Sequence, residues 1–153
     1  MATLTVFTPT YNRAYVLKQC YDSLCRQTCK DFVWLIIDDG SSDNTKEIVD
    51  EWMANDNGFE IRYVYKKNGG MHTGHNKAYE LIDTELNVCI DSDDYMPDDA
   101  VELIVNFWNE NKDGSYSGII ALDVYKNGQV IGKELPNKKS TTLSGYYQNG
   151  GQG

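Results

Sequence analysis

The sequence predicts an α/β fold, a Rossmann-like layer sandwich with a mostly parallel central sheet and helices on both faces. Three observations predict it. Short β-rich runs alternate with helix-period segments through residues 1–110, the order expected of parallel strands joined by helical crossovers. One of those runs, FVWLII at residues 32–37, is apolar without alternation, as in a strand buried on both faces. Polar clusters follow directly behind the strand candidates, at the edge where open α/β sheets bind their ligands.

Each element has its own justification. Residues 3–8 (TLTVFT) make the first strand candidate, which Pro9 is expected to halt. Val16, Leu17, Cys20, Tyr21, Leu24 and Cys25 then recur at helical intervals and give one apolar face. After the strand at 32–37, residues 38–44 (DDGSSDN) form a turn cluster, and Ile48, Val49 and Trp52 mark a second helix. A third strand is expected at 60–65, a third helix at 72–82 and a short fourth strand at 87–90. A fourth helix is expected over 97–108, with Pro97 in its first turn and Asp98 and Asp99 favoured by its N-terminal dipole. Right-handed crossovers would bring segments 8–13, 38–43, 66–76 and 91–94 to one edge of the sheet.

The chain divides at about residue 112. Over 113–153, residues 117–124 and 129–131 read as strands joined at Lys126-Asn127-Gly128. Beyond Pro136 the chain is polar and ends in a glycine-rich stretch, with no closing element expected. No internal repeat is evident.

Composition narrows the function. With 153 residues, 41% of them hydrophobic and 24% charged, the chain can bury a real core and is not of disordered type. Lys and Arg total 14 against 23 Asp and Glu, a net charge of -9, which excludes a nucleic-acid binder. An anionic small ligand would need local positive charge from a divalent cation or from helix N-termini. No apolar run approaches a membrane span of about 18 residues, so no direct membrane insertion is expected of this segment. Cys20, Cys25, Cys29 and Cys89 fit no C-x-x-C pattern and are expected to be reduced. A cytoplasmic location follows as the default, with the complete protein free to dock at the cytoplasmic face of a membrane.

Two acidic clusters carry the chemistry. Asp91-Ser92-Asp93-Asp94 stands just past the short fourth strand. Carboxylates at alternate positions there can converge on Mg2+ or Mn2+, hard cations that share their oxygen shell with substrate phosphates. The alternative is a solvated acidic turn leading into the fourth helix. An EF-hand loop starting at Asp91 fails because Met96 stands where glycine is required and Tyr95 where an oxygen ligand is required. A P-loop is absent, and Gly69, Gly70 and Gly74 do not make a dinucleotide fingerprint. A phosphatase with its Asp-x-Asp behind the first strand fails too, since Thr8-Pro9-Thr10 stands there. The second cluster, Asp38-Asp39-Gly40-Ser41-Ser42-Asp43, is partly explained by helix capping at Ser42 and Asp43. Adjacent carboxylates at Asp38 and Asp39 need donors to offset their repulsion, either backbone N–H groups or a ligand such as a uracil ring.

Taken in order, Thr8-Pro-Thr-Tyr-Asn-Arg13, Ile37-Asp-Asp-Gly-Ser-Ser-Asp-Asn-Thr45, Asn68-Gly-Gly, Asn76-Lys77 and Asp91-Ser-Asp-Asp94 resemble the nucleotide-binding half of a family 2 glycosyltransferase. The resemblance spans residues 2–110. It implies a GT-A fold and an inverting enzyme that moves a sugar from a nucleotide-diphosphate donor, often a UDP-sugar, to an acceptor hydroxyl. It also implies residue roles. Pro9 and Tyr11 would line the nucleoside pocket, with Arg13 in the same loop. Asp39 would accept the uracil N–H, and Asp38 would shape its loop. Lys66, Asn68, Gly70, His72 and Asn76 would border the nucleotide and donor sugar. Asp93 would be the principal ligand of Mn2+ or Mg2+, with Asp91 and Ser92 beside it and Asp94 a lesser member.

This sequence departs from the family pattern in two places. Gly74-His75-Asn76 stands where the family often has Ala-Arg-Asn, so Lys77 or His72 would have to replace an arginine's charge. His72 and His75 also read as ordinary helix-start residues. The family's catalytic base lies in a downstream acidic motif. Between Ser115 and Gly153 only Asp123 and Glu134 are acidic, and neither sits in such a motif. The base is therefore expected outside this chain, and residues 1–112 are read as the donor half followed by the start of the acceptor side, in a polypeptide inactive alone. Saccharide, lipid-linked and protein acceptors all stay open. Two other readings are a non-catalytic nucleotide-sugar binding domain and a metal-dependent nucleotidyltransferase.

Overall fold

The computed structural model describes residues 2–112, 116–125, 127–133, 141 and 143–149. They fall in two units, Met1–Tyr116 and Ser117–Gly153.

The first unit alternates strand and helix: β1 (Leu4–Thr10), α1 (Ala14–Cys25), β2 (Phe32–Asp38), α2 (Thr45–Met53), β3 (Glu60–Tyr65), α3 (Met71–Leu81), β4 (Leu86–Cys89) and α4 (Ala100–Asn111). All pairings are parallel, in the order β3-β2-β1-β4. The two inner strands are the apolar ones, and β2 is buried along its whole length. Helices cover both faces. Leu17, Cys20 and Leu24 of α1, Val49 and Trp52 of α2, and Val101 and Val105 of α4 pack with Leu4, Val6, Trp34 and Ile36 in the larger core. On the other face Ala78 of α3 packs with Phe7, Leu35 and Ile37 in a smaller one.

Pro9 does not halt the first strand. It lies within β1, paired with Ile37. The Ile90 N–H donates to Phe7 O at 3.0 Å, so the odd-numbered residues of β1 turn their backbone groups toward β4. That ladder has ended by residue 9, and the missing N–H of Pro9 leaves no partner unsatisfied.

The fourth helix also begins later than expected. Pro97 precedes α4 in a turn closed by Ala100 N–H on Pro97 O at 3.1 Å. Buried Gln27, just past the end of α1, supplies the cap. Its Oε1 accepts from Val101 N–H at 2.9 Å, and its Nε2 donates to Pro97 O at 2.7 Å. Asp98 pairs with Arg26 instead, at 3.0 Å.

In the second unit, an antiparallel bridge joins Val124 and Val130 around Asn127-Gly128. No strand runs over 117–123. A short helix, α5 (Leu143–Gln148), stands near the end of the chain. Lys126, Glu134 and Pro136 of the sequence reading lie outside the described residues. All four cysteines are free.

Candidate functional site

The loops behind the parallel strands share one edge of the sheet, and side chains tie each to the next. Behind β1, Asn12 sits at φ 53, a left-handed position that asparagine tolerates better than most residues. Its Oδ1 accepts from Ser42 N–H at 2.7 Å and Asp43 N–H at 3.3 Å, and its own N–H donates to Ser41 Oγ at 2.9 Å. Asp43 serves two helix starts at once. Its Oδ2 accepts from Ala14 N–H at 3.0 Å, and its Oδ1 accepts from Thr45 N–H at 3.1 Å and Thr45 Oγ1 at 2.6 Å. Burial raises the Asp43 carboxyl, but these donors outweigh it and hold it below its ordinary value.

Asp38 and Asp39 are both buried, at 1% and 4% exposure, and separate sets of donors offset their repulsion. Asp38 Oδ1 accepts from Ser41 N–H at 2.7 Å, and Oδ2 accepts from the Tyr63 hydroxyl. Burial and the neighbouring Asp38 push the Tyr63 hydroxyl above its ordinary value, so it stays a donor. Asp39 Oδ1 accepts from Lys66 Nζ and from Gly69 N–H at 3.0 Å, while Oδ2 accepts from Gly70 N–H at 2.8 Å. Burial raises this carboxyl too, but the Lys66 ammonium and the two amides hold it below its ordinary value. Gly40, at φ 89, lets the loops meet, since a Cβ there would stand 2.8 Å from Asn68 N.

The loop behind β4 is built differently. Asp94 N–H donates to Asp91 O at 3.0 Å, closing a turn around buried Ser92. Asp91 and Asp93 are exposed. Arg13 Nη1 meets Asp93 Oδ2 at 3.2 Å, and Gln19 Nε2 donates to Asp93 O at 3.0 Å. This contact lies where the strand order reverses, between β1 and β4, the usual ligand crevice of an open α/β sheet.

Among the described residues, no group of three or more His, Cys, Asp and Glu could hold a metal ion by itself. Asp91 and Asp93 offer oxygen only and face solvent. Such a set fits Mg2+ or Mn2+ that completes its shell with phosphate oxygens and water, and it does not fit a closed protein cage.

The other expected residues are distributed as follows. Pro9 is half-buried at the end of β1, and Tyr11 is 50% exposed in the loop behind it. Asn68 lies against Gly40. His72 and Asn76 are exposed, one turn apart on α3. His75 packs inward instead, its ring edge-on to Phe7 at 5.5 Å and its Nε2 3.6 Å from Cys89 Sγ. Lys77 pairs with Glu80 at 2.9 Å. Burial and then Asp91 push the Cys89 thiol up to about 12, so it is a thiol and not a nucleophile.

Sequence reasoning assigned no role to Asn12, Tyr63 or Thr73. A left-handed turn would suit Asn12, and Thr73 stands in a helix start, so both had a local signal. Tyr63 had none, because its partner is 25 positions away.

The family model described as Glycosyl transferase family 2 matches residues 5–149. Among curated proteins, a chondroitin synthase of Pasteurella multocida (strain Pm70) is 34% identical over 109 residues, covering 71% of this chain and 11% of that protein. The glycosyltransferase GlyG of Streptococcus pneumoniae serotype 4 (strain ATCC BAA-334 / TIGR4) is 30% identical over 102 residues, 66% of this chain and 33% of its own. The chain thus spans a minor part of the relatives it matches. Among solved structures, S. aureus TarS 1-349 in complex with UDP-GlcNAc aligns with a TM-score of 0.65 and 26% identity, covering 71% of this chain and 31% of that one.

Proposed function

Because the chain belongs to glycosyl transferase family 2, we propose that it is the donor-binding part of an inverting glycosyltransferase that uses a UDP-sugar. One observation carries the reading. Asp39 and Asp93 stand at the two ends of a single line of contacts along the carboxyl edge of the sheet. It runs from Asp39 and its neighbour Asp38 through Ser41, Asn12 and Arg13 to Asp93. Strands β2 and β4 flank β1, so their axes lie roughly 10 Å apart across the sheet. A nucleoside diphosphate laid along this line would put its base at Asp39 and its phosphates at Asp93.

Each residue then has a task. Asp39 accepts an N–H of the base, with Tyr11 and Pro9 beside the nucleoside. Arg13 meets the phosphates across the crevice. Asn68, Gly70, His72 and Asn76 border the donor sugar. Asp93 and Asp91 would hold Mn2+ or Mg2+, which when bound neutralises the charge that develops on the departing diphosphate. A uridine base is supported by TarS, which has been solved with UDP and with UDP-GlcNAc. We assign the donor side to residues 1–112 and the start of the acceptor side to 113–153. No residue of this chain is assigned as the base that takes the acceptor proton. Saccharide acceptors fit the polymer synthases among the relatives. Among the described residues no helix is long and apolar enough to cross a membrane.

Calorimetric titration of UDP and UTP, with and without Mn2+, tests the reading. UDP binding strengthened by Mn2+, with the strengthening lost in Asp93→Ala, is the expected result. A preference for UTP would favour nucleotidyl transfer, and binding indifferent to Mn2+ would remove the role given to Asp93.

A further inference from the structure

Lys66 was expected at the ligand, yet its ammonium group is spent inside the protein. It donates to Asp39 Oδ1, to Thr73 Oγ1 at 2.7 Å and to Lys67 O at 2.8 Å, three acceptors for its three hydrogens. Thr73 Oγ1 passes its own hydrogen on to Gly70 O at 2.8 Å. The side chains are largely enclosed, with Lys66 20% and Asp39 6% exposed. Gly69 makes room for the arrangement: a Cβ there would stand 2.7 Å from Thr73 Oγ1 and 3.2 Å from Lys66 Nζ. Any larger residue would push the network apart.

The hydrogen bonds also fix which part of Asp39 is left for a ligand. A carboxylate has about four acceptor directions. Two on Oδ1 are taken by Lys66 and Gly69, and one on Oδ2 by Gly70. The direction that remains belongs to Oδ2.

We propose that Lys66 and Thr73 are positioning residues for base selection, holding Asp39 so that one acceptor direction on Oδ2 meets the nucleotide. The inference rests on the reading that Asp39 faces the base. An ionised carboxylate accepts and cannot donate. It therefore favours a base with a ring N–H, as uracil has at N3, over cytosine, whose N3 is itself an acceptor. Polar groups left facing each other without a hydrogen are the strongest means a site has to reject an analogue. That discrimination needs the carboxylate fixed. With Lys66 removed, Oδ1 regains a free direction. With the Thr73 hydroxyl removed, Lys66 loses one of its three acceptors and Gly70 O loses a donor, so the groups that hold Asp39 are less firmly set.

The test compares UDP with CDP in the wild type, Thr73→Val, Thr73→Ser and Lys66→Met, with thermal unfolding as the check on folding. The wild type should prefer UDP. Thr73→Val keeps the shape and charge of the site and should narrow the UDP-to-CDP preference by up to about tenfold, because Lys66 loses an acceptor and holds Asp39 less firmly. Its strengthening by Mn2+ should be unchanged. Thr73→Ser should restore the preference. Lys66→Met should narrow it further, and where that variant does not fold, the two Thr73 variants decide. A preference kept in Thr73→Val, or equal weakening for both nucleotides, overturns the positioning role and leaves the proposed function standing. Failure of the wild type to bind UDP at all would overturn both.

Discussion

The two acidic clusters differ in how much of each is built before any ligand arrives. At the end of β2, Asp38 and Asp39 are buried and take hydrogen bonds from a tyrosine, a lysine and three backbone amides. Behind β4, the side chain of Asp93 is 55% exposed and meets one arginine that is itself 44% exposed. A base is recognised by directional hydrogen bonds, which favour a fixed acceptor. A cation that arrives with a diphosphate needs open coordination positions and must leave with the product. On the proposed function the first cluster would serve fold and recognition together, whereas the Asp93 carboxylate is held by one exposed ion pair.

The largest effect that could break this contrast is on stability. Asp39→Ala leaves the Lys66 ammonium and two amides without their acceptor in a buried place. Removing one partner of such a pair costs about 3–5 kcal/mol. Asp93→Ala opens only an exposed pair, worth about 0–1 kcal/mol. Urea unfolding of the two variants should thus separate them widely. Equal destabilisation would mean that the loop behind β4 bears load as well, and the contrast would fall.

The same contrast explains what was legible in the sequence. The strand and helix order could be read because β2 carries an unbroken apolar run and α1 an apolar stripe, both local patterns. The paired carboxylates could be found because their spacing is local too. What closes the site is not local. Arg13 meets Asp93 across 80 positions, and Gln27 caps a helix that starts 73 residues later. The place of Pro9 in β1 depended on where a neighbouring strand ends, which nothing near Pro9 records. The family resemblance put Lys66 among the residues that border the nucleotide and donor sugar. Only the geometry reveals that its three hydrogens are already taken.

A smaller effect is the response to acid. Asp39 and Asp43 both lie below the ordinary carboxylate value of 3.8 in the folded state. A carboxyl depressed on folding stabilises the protein at pH values above its unfolded pKa, and that contribution is lost as pH falls through the folded one. The contribution of these two groups should therefore begin to decline as pH approaches 3.8 from above and keep declining below it. That of Glu60 and Glu85, which are depressed from 4.5, declines first. Asp39→Asn removes one of the depressed carboxyls, so its urea midpoint should depend less steeply on pH over that range, whatever its starting stability. An unchanged slope would mean that the buried carboxylate takes no part in the acid response.

The smallest expected effect sharpens the contrast from the helix that follows the Asp39 donors. Gly74 lies inside α3, where glycine costs about 0.5–1 kcal/mol relative to alanine. A Cβ at that position would meet Pro9 Cβ at 3.6 Å and Ile37 Cγ2 at 3.9 Å, both ordinary contacts. Gly74→Ala should therefore stabilise the fold by about 0.5–1 kcal/mol, measured as a higher urea midpoint. UDP affinity should not move, because the Gly69-Gly70 donors are set by Asp39, Lys66 and Thr73 and the added methyl leaves them where they are. If affinity changed while stability rose, the seat of α3 on Pro9 would be what fixes the base side, and its rigidity would come from helix packing instead of the hydrogen-bonded loop.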